Sequence, residues 1–124
     1  MYARAASMYQ KVDLESAPNT QIVERLYERF ARDIDTARAA IAARDIKGKA
    51  AALDHAMRIV VELRVALDHP KAPELCSKLD GLYGFVIDKI NESNAKLDPK
   101  ALDHALRVMN SLGAGFRGAY EKMR

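Results

Sequence analysis

Apolar residues recur at intervals of three and four along most of the chain, and nowhere do they alternate in the period of two that a half-buried strand requires. The first such row is Ile22, Val23, Leu26, Tyr27, Phe30, Ile34, Ala37 and Ile41, which predicts a helix over about 19–43 with Pro18 or Asn19 as its start signal. Arg44 and Asp45 interrupt the row. Asp45 is placed to accept from the first free amides of a second helix over about 45–68, whose inward row is Ile46, Ala50, Leu53, Met57, Val60, Leu63 and Leu67. Pro70 and Pro73 end that helix by denying amide donors and by biasing the residues before them away from helical angles. A third helix is expected over about 74–94, with Leu75, Leu79, Leu82, Val86 and Ile90 holding the core and Cys76, Tyr83 and Ile87 widening the apolar face. Asp98-Pro99, a cap residue followed by proline at the first helical position, opens a fourth over about 99–122. Its inward row is Leu102, Ala105, Leu106, Met109, Leu112, Phe116, Tyr120 and Met123.

Short connections between helices of this length force neighbours to run antiparallel, so the expected fold is all-α, an antiparallel up-down-up-down four-helix bundle in a single domain spanning 1–124. Residues 1–18 carry Tyr2, Met8, Tyr9 and Val12 at no sustained period and read as a mobile arm or short helical turn.

Composition narrows the class without choosing a function. The net charge of +3 and pI near 9.1 come from 20 basic residues scattered among 17 acidic ones, so nucleic acid is not indicated. The single Cys76 has no partner for an internal disulfide and sits on an apolar helix face, which suits a buried inert thiol in the reducing cytoplasm. No apolar run approaches the ~20 residues needed to span a bilayer, and no leader pattern opens the chain.

The candidates for chemistry are few. Asp54-His55 and Asp103-His104 fall in two similar segments, Ala52-Leu-Asp-His-Ala-Met-Arg and Ala101-Leu-Asp-His-Ala-Leu-Arg, a likeness for which convergence of amphipathic helices is the favoured reading over duplication of a hairpin. Neither histidine has the Glu three residues earlier that a di-metal bundle needs, so no metal is expected. A phosphorelay bundle using His55 or His104 is the enzymatic alternative, since Arg58 or Arg107 one turn later could steady a phosphoryl group; Ile59 and Val108 stand where such bundles keep a small residue. No cofactor-binding loop or catalytic constellation is present, so a non-enzymatic binding module is expected. Gly81, Gly84, Gly113, Gly115 and Gly118 fall inside predicted helices, at ~1 kcal/mol each relative to Ala, and serve either close helix packing or a groove shallow enough to seat a partner helix.

The run Ile59-Val-Val-Glu-Leu-Arg-Val-Ala-Leu-Asp68, a short loop, then Glu74-Leu75-Cys76, Leu79, Leu82-Tyr83, Phe85-Val86 and Asn94, resembles the FliS family of flagellar export chaperones. Met1-Tyr2, Tyr9-x-x-Val12 and Ile22-Val23-x-x-Leu26 are similar to that family's opening, and the likeness covers essentially the whole chain. Departures are Ala72-Pro73 for the family's Gly-Gly, Lys78 and Arg58 where it has Asn, and Phe116 for its late Trp. The resemblance implies a cytoplasmic chaperone that holds the disordered C-terminal segment of flagellin, prevents its premature polymerisation and aids delivery to the export apparatus, with the export gate as a further partner. The residues put forward for flagellin binding are Tyr9, Val12, Ile22, Leu26, Leu79, Tyr83, Ile87 and Asn94, and the arm is expected to fold over part of the groove in the empty protein. A generic helical adaptor for another exported protein is the alternative client reading.

Overall fold

The computed structural model describes residues 18–123, with side chains described at position 21 and positions 23–118. Tyr9, Val12 and the rest of the expected arm therefore lie outside the described residues, as does the Ile22 side chain. The described residues form four helices: α1 Pro18–Ala42, α2 Ile46–Val65, α3 Pro73–Lys96 and α4 Pro99–Met123. Each packs on its neighbour in sequence and α1 closes the ring against α4, while α1 faces α3 and α2 faces α4 across the core. The all-α up-down bundle expected from the periodicity is the fold observed.

The links explain why neighbours turn back so sharply. At the end of α1, Asp45 N–H donates to the Ala40 carbonyl (2.8 Å) and Arg44 N–H to that of Ile41 (3.1 Å), with Arg44 at φ 57°. That is a Schellman closure, with arginine in the left-handed position usually held by glycine. Asp45 then caps α2, its Oδ1 accepting from Gly48 N–H at 2.9 Å. α2 stops at Val65 rather than running to Asp68, because Leu67 N–H tightens back to the Arg64 carbonyl and Pro70 disfavours a helical His69. α3 continues past Asn94 to Lys96 and ends where Leu97 turns left-handed at φ 53°.

The core departs from the expected rows in the middle two helices. In α3 the buried set is Cys76, Leu79, Tyr83, Val86, Ile90 and Ser93, spaced alternately by three and four. Leu82, expected inside, is 39% exposed, and Tyr83, expected beside the core, is 0% exposed. Consecutive residues on a helix stand ~100° apart, so Leu82 and Tyr83 could not both point to the centre. The centre accommodates Tyr83 because its hydroxyl meets that of Tyr27 at 2.9 Å, a buried bond across the bundle from α1 to α3. In α2, Ile46 and Ala50 are exposed, and Ala52, Ala56 and Ile59 are buried in their place. Small alanines there let α1 approach closely and bring Phe30, Ile34 and Ala37 to full burial. Cys76 is buried and free, as expected of an inert thiol.

Candidate functional site

Sequence-nominated contact residues do not gather on one surface. Leu79 and Tyr83 are 2% and 0% exposed and belong to the core. Ile87 is partly buried and packs against the core, on the side of α3 that looks towards α2. Asn94 is exposed in the last turn of α3, where its carbonyl accepts from the Lys49 Nζ at 3.1 Å. Lys49 is itself buried, its charge resting at the negative C-terminal end of the α3 dipole. Leu26 lies elsewhere, in a cleft between α1 and α2 that it shares with Ile59. Residues 49 and 59 are ten apart on α2, so Asn94 and Leu26 contact levels of the bundle separated by about 15 Å.

Three surface features emerge instead. The first is the apolar exposure of the middle helices: Leu82 and Phe85 on α3 are each 39% exposed, and Val61 and Val65 on α2 are 43% and 78% exposed. Asp80 and Gly84 mark the side of α3 that meets α2, since both lie against Arg64. Leu82 is therefore on the opposite side, towards α4, with Phe85 further outward beneath the Lys89 ammonium, 5.5 Å from the ring centre. Periodicity had marked Leu82 as apolar; its exposure had no signal in the sequence because its neighbour Tyr83 is equally compatible with the core.

The second is the α1–α2 cleft, about 500 Å³. Leu26 and Ile59 are its apolar residues, and Arg25, Arg29, Arg32 and Arg58 stand around them. Beneath it the buried Asp33 carboxylate accepts from Arg29 Nε at 3.1 Å and hydrogen-bonds His55 Nδ1 at 2.5 Å. Asp54 pairs with Arg58 at 2.9 Å. His55, weighed above for metal binding and phosphorelay, instead partners a carboxylate across the α1–α2 interface. His104 is exposed on α4. The third feature is a smaller half-open pocket of about 400 Å³ at the end of the bundle, lined by Ala40, Ile41, Ile46, Lys49 and Leu97 among others.

The glycines divide by the same geometry. A Cβ at Gly113 would stand 3.2 Å from Cγ of Tyr27, so this glycine serves close packing of α4 on α1. Among the described residues, a Cβ at Gly81 or Gly118 would meet nothing within 4 Å, and one at Gly84 only the Arg64 guanidinium at 3.8 Å. Close packing inside the bundle therefore does not account for those three.

Among the described residues no helix is long and apolar enough to cross a membrane, and no group of three or more His, Cys, Asp or Glu side chains is placed to hold a metal ion. The family model described as "Flagellar protein FliS" matches residues 1–123. The chain is 29% identical over 123 residues to the flagellar secretion chaperone FliSB of Pseudomonas aeruginosa, covering 95% of this chain and 98% of that protein. It is 28% identical over 108 residues to the flagellar secretion chaperone FliS of Vibrio cholerae, covering 84% and 79%. Against the flagellar secretion chaperone FliS of Salmonella typhimurium it is 24% identical over 120 residues, covering 93% and 89%. With an all-α up-down bundle and a family match over residues 1–123, the chain belongs to the FliS family of flagellar secretion chaperones, which are not enzymes.

Proposed function

We propose that this chaperone holds the disordered C-terminal segment of flagellin in the cytoplasm, keeps it from polymerising and delivers it to the export apparatus, including contact with the export gate. The observation that carries the reading is the exposed apolar strip of α3, Leu82 and Phe85, on a helix whose core row is already complete without them. Two large apolar side chains side by side on one helix face, outside the core row, offer apolar surface for a client to cover. Ordering a disordered client costs about 1–2 kcal/mol of backbone entropy per residue, so the client must bury a large apolar area in return. Coupled folding of this kind buries about 1,000–3,000 Å² and leaves moderate affinity, which suits a client that is later released.

Leu26, Ile87 and Asn94, together with Tyr9, Val12 and Ile22 on the N-terminal side, remain proposed contacts for other parts of a segment that wraps the bundle. Leu79 and Tyr83 act behind that surface by fixing the position of α3. The test is a titration of the purified chain with the isolated flagellin C-terminal peptide, followed by far-UV circular dichroism. Helical signal should rise above the sum of the separate components and saturate. Binding without a gain in helicity would remove the mechanism.

A further inference from the structure

The pocket at the end of the bundle holds a charge that the fold buries and only partly satisfies. Lys49 is 6% exposed, yet among the described residues its Nζ makes one hydrogen bond, to the Asn94 carbonyl at 3.1 Å, and no ion pair. An ammonium carries three donors, and leaving a buried one short of acceptors is costly. One residue before Asn94, the Ser93 hydroxyl is fully buried and has no hydrogen-bond partner among the described residues. Buried polar groups are paired in the great majority of cases, so two under-satisfied ones at the same end of α3 call for a reason. Lys49 also lines the half-open pocket of about 400 Å³, whose walls are Ala40, Ile41, Ile46 and Leu97. Ile46 and Leu97 are 55% and 45% exposed. Arg44 stands exposed in the lining, and Asp45 is its one acid, with Oδ1 occupied by the Gly48 amide.

A buried cation among apolar walls calls for an anion carried on an apolar group. The volume is at the lower end of the ~300–1,000 Å³ of ligand sites, which admits the end of a chain rather than a helix laid along the bundle. An acidic side chain in mid-sequence would press polar backbone on both sides of it against the walls. A chain terminus brings its carboxylate and an apolar side chain on one residue and needs a single exit. Folding has already taken the Lys49 ammonium out of water, so pairing costs only the desolvation of the carboxylate. We infer that this pocket takes a peptide carboxyl terminus, with the α-carboxylate on Lys49 Nζ and the last side chain against Ile41, Ile46 and Leu97. The inference rests on the client reading above and adds to it where the segment ends: the occupant is the carboxyl terminus of flagellin itself. Phe85 lies twelve residues before Leu97, about 18 Å along α3, so one segment reaches both the exposed strip and the pocket.

The test titrates the full-length chain with the flagellin C-terminal peptide in two forms, free carboxyl terminus and carboxyl-terminal amide, and with N-acetyl-leucyl-leucine as acid and as amide. Binding is followed by backbone amide chemical shifts. The flagellin acid should bind at least tenfold more tightly than its amide, and only the acid should shift the amides of residues 45–49 and 94–97. The short acid should shift the same amides, and the short amide should not. Lys49→Met keeps most of the stem and removes the charge, so the two flagellin forms should bind it alike. Ile46→Glu sets a carboxylate on the pocket wall in the first turn of α2, where the helix dipole favours it. It should keep the wild-type circular dichroism and lose the preference for the acid, which leaves the test decisive if Lys49→Met fails to fold. Equal affinity of the two flagellin forms for wild type, or a preference for the acid that survives in Ile46→Glu, would overturn the assignment and leave the client reading intact. Binding of neither flagellin form, together with shifts from the short acid, would instead overturn flagellin as the occupant and uphold the pocket as a carboxylate site.

Discussion

Tyr27 and Tyr83 carry polar chemistry into the centre of the bundle, beside Gly113. The hydroxyls of the tyrosines meet at 2.9 Å across the diagonal, and the Tyr27 ring lies over Gly113 with Phe116 tilted beside it at a centroid distance of 6.3 Å. A diagonal bond fixes the rotation of α3 about its own axis, and that rotation decides that Leu82 points out. Adding a methyl at Gly113 would gain up to about 1 kcal/mol of helix propensity. It would also push a Tyr27 ring that is 5% exposed and held at its hydroxyl, an overpacking that costs about 1–3 kcal/mol. Gly113→Ala should therefore be less stable than wild type in urea unfolding by about 1 kcal/mol. Gly81→Ala meets open space and should be more stable by about 0.5–1 kcal/mol. Opposite signs for two identical substitutions on helices of similar length would separate the packing glycine from the surface one, and a gain at both would show that Tyr27 yields freely.

Between elements, what could be read ahead was the grammar of starts and stops, and what could not was the rotation of each helix. Pro18, Asp45 and Asp98-Pro99 carry their signals locally, in side chains that cap or backbones that cannot donate, and each lies at an observed boundary. The left-handed Arg44 carries no such mark, because arginine has no preference for positive φ and is held there by the hydrogen bonds of the closure. The Arg64–Asp80 pair is of the same hidden kind, two charged residues on separate helices joined only by folding. Arg64 Nε reaches Asp80 Oδ1 at 2.7 Å and a second guanidinium nitrogen reaches Oδ2 at 3.1 Å, so the fork ties α2 to α3. The guanidinium hydrogen bond, aided by its charge and by His69, holds the Asp80 carboxyl below its usual range against a smaller opposing effect of desolvation. A carboxyl whose folded pKa is depressed binds protons more readily when unfolded. Its contribution to stability is therefore complete above the unfolded value near 3.9, about where model aspartates titrate, and is lost as pH falls through the lower folded value. Both side chains are more than a third exposed, so the pair contributes about 0.2–1 kcal/mol. Asp80→Asn should lower stability by that amount at pH 7 and leave less to lose below pH ~4, which unfolding curves at the two pH values will show as a shallower acid limb. Parallel curves for variant and wild type would mean the fork does not persist in solution.

Across the whole molecule, fold and binding surface were legible to different degrees for a physical reason. A bundle is specified by having enough apolar side chains at the right period, and many alternative assignments of those side chains to core or surface satisfy that requirement equally. Leu82 and Tyr83 illustrate the degeneracy: both are apolar enough for either place, and the Tyr27 hydroxyl, fifty-six residues away in the chain, breaks the tie. The α1–α2 cleft was illegible because Arg25, Arg29 and Arg32 look like an ordinary solvated face until Arg58 and Ile59 are brought opposite. This division implies that stability and client binding respond to different substitutions on the same helix. Phe85→Asp changes a side chain outside the core row, so the melting temperature should move little, by the few degrees that about 1 kcal/mol produces in a domain of this size. The same change places a carboxylate where the client is to bury apolar surface, and should weaken the flagellin peptide at least tenfold, about 1.4 kcal/mol. Tyr83→Phe should do the converse, lowering stability by about 1 kcal/mol through the lost diagonal bond while peptide affinity stays within a factor of three. Paired melting and titration of the two variants decide the matter. If Phe85→Asp leaves affinity unchanged while Tyr83→Phe reduces it, the client enters between the helices rather than lying on α3, and α3 must turn to admit it.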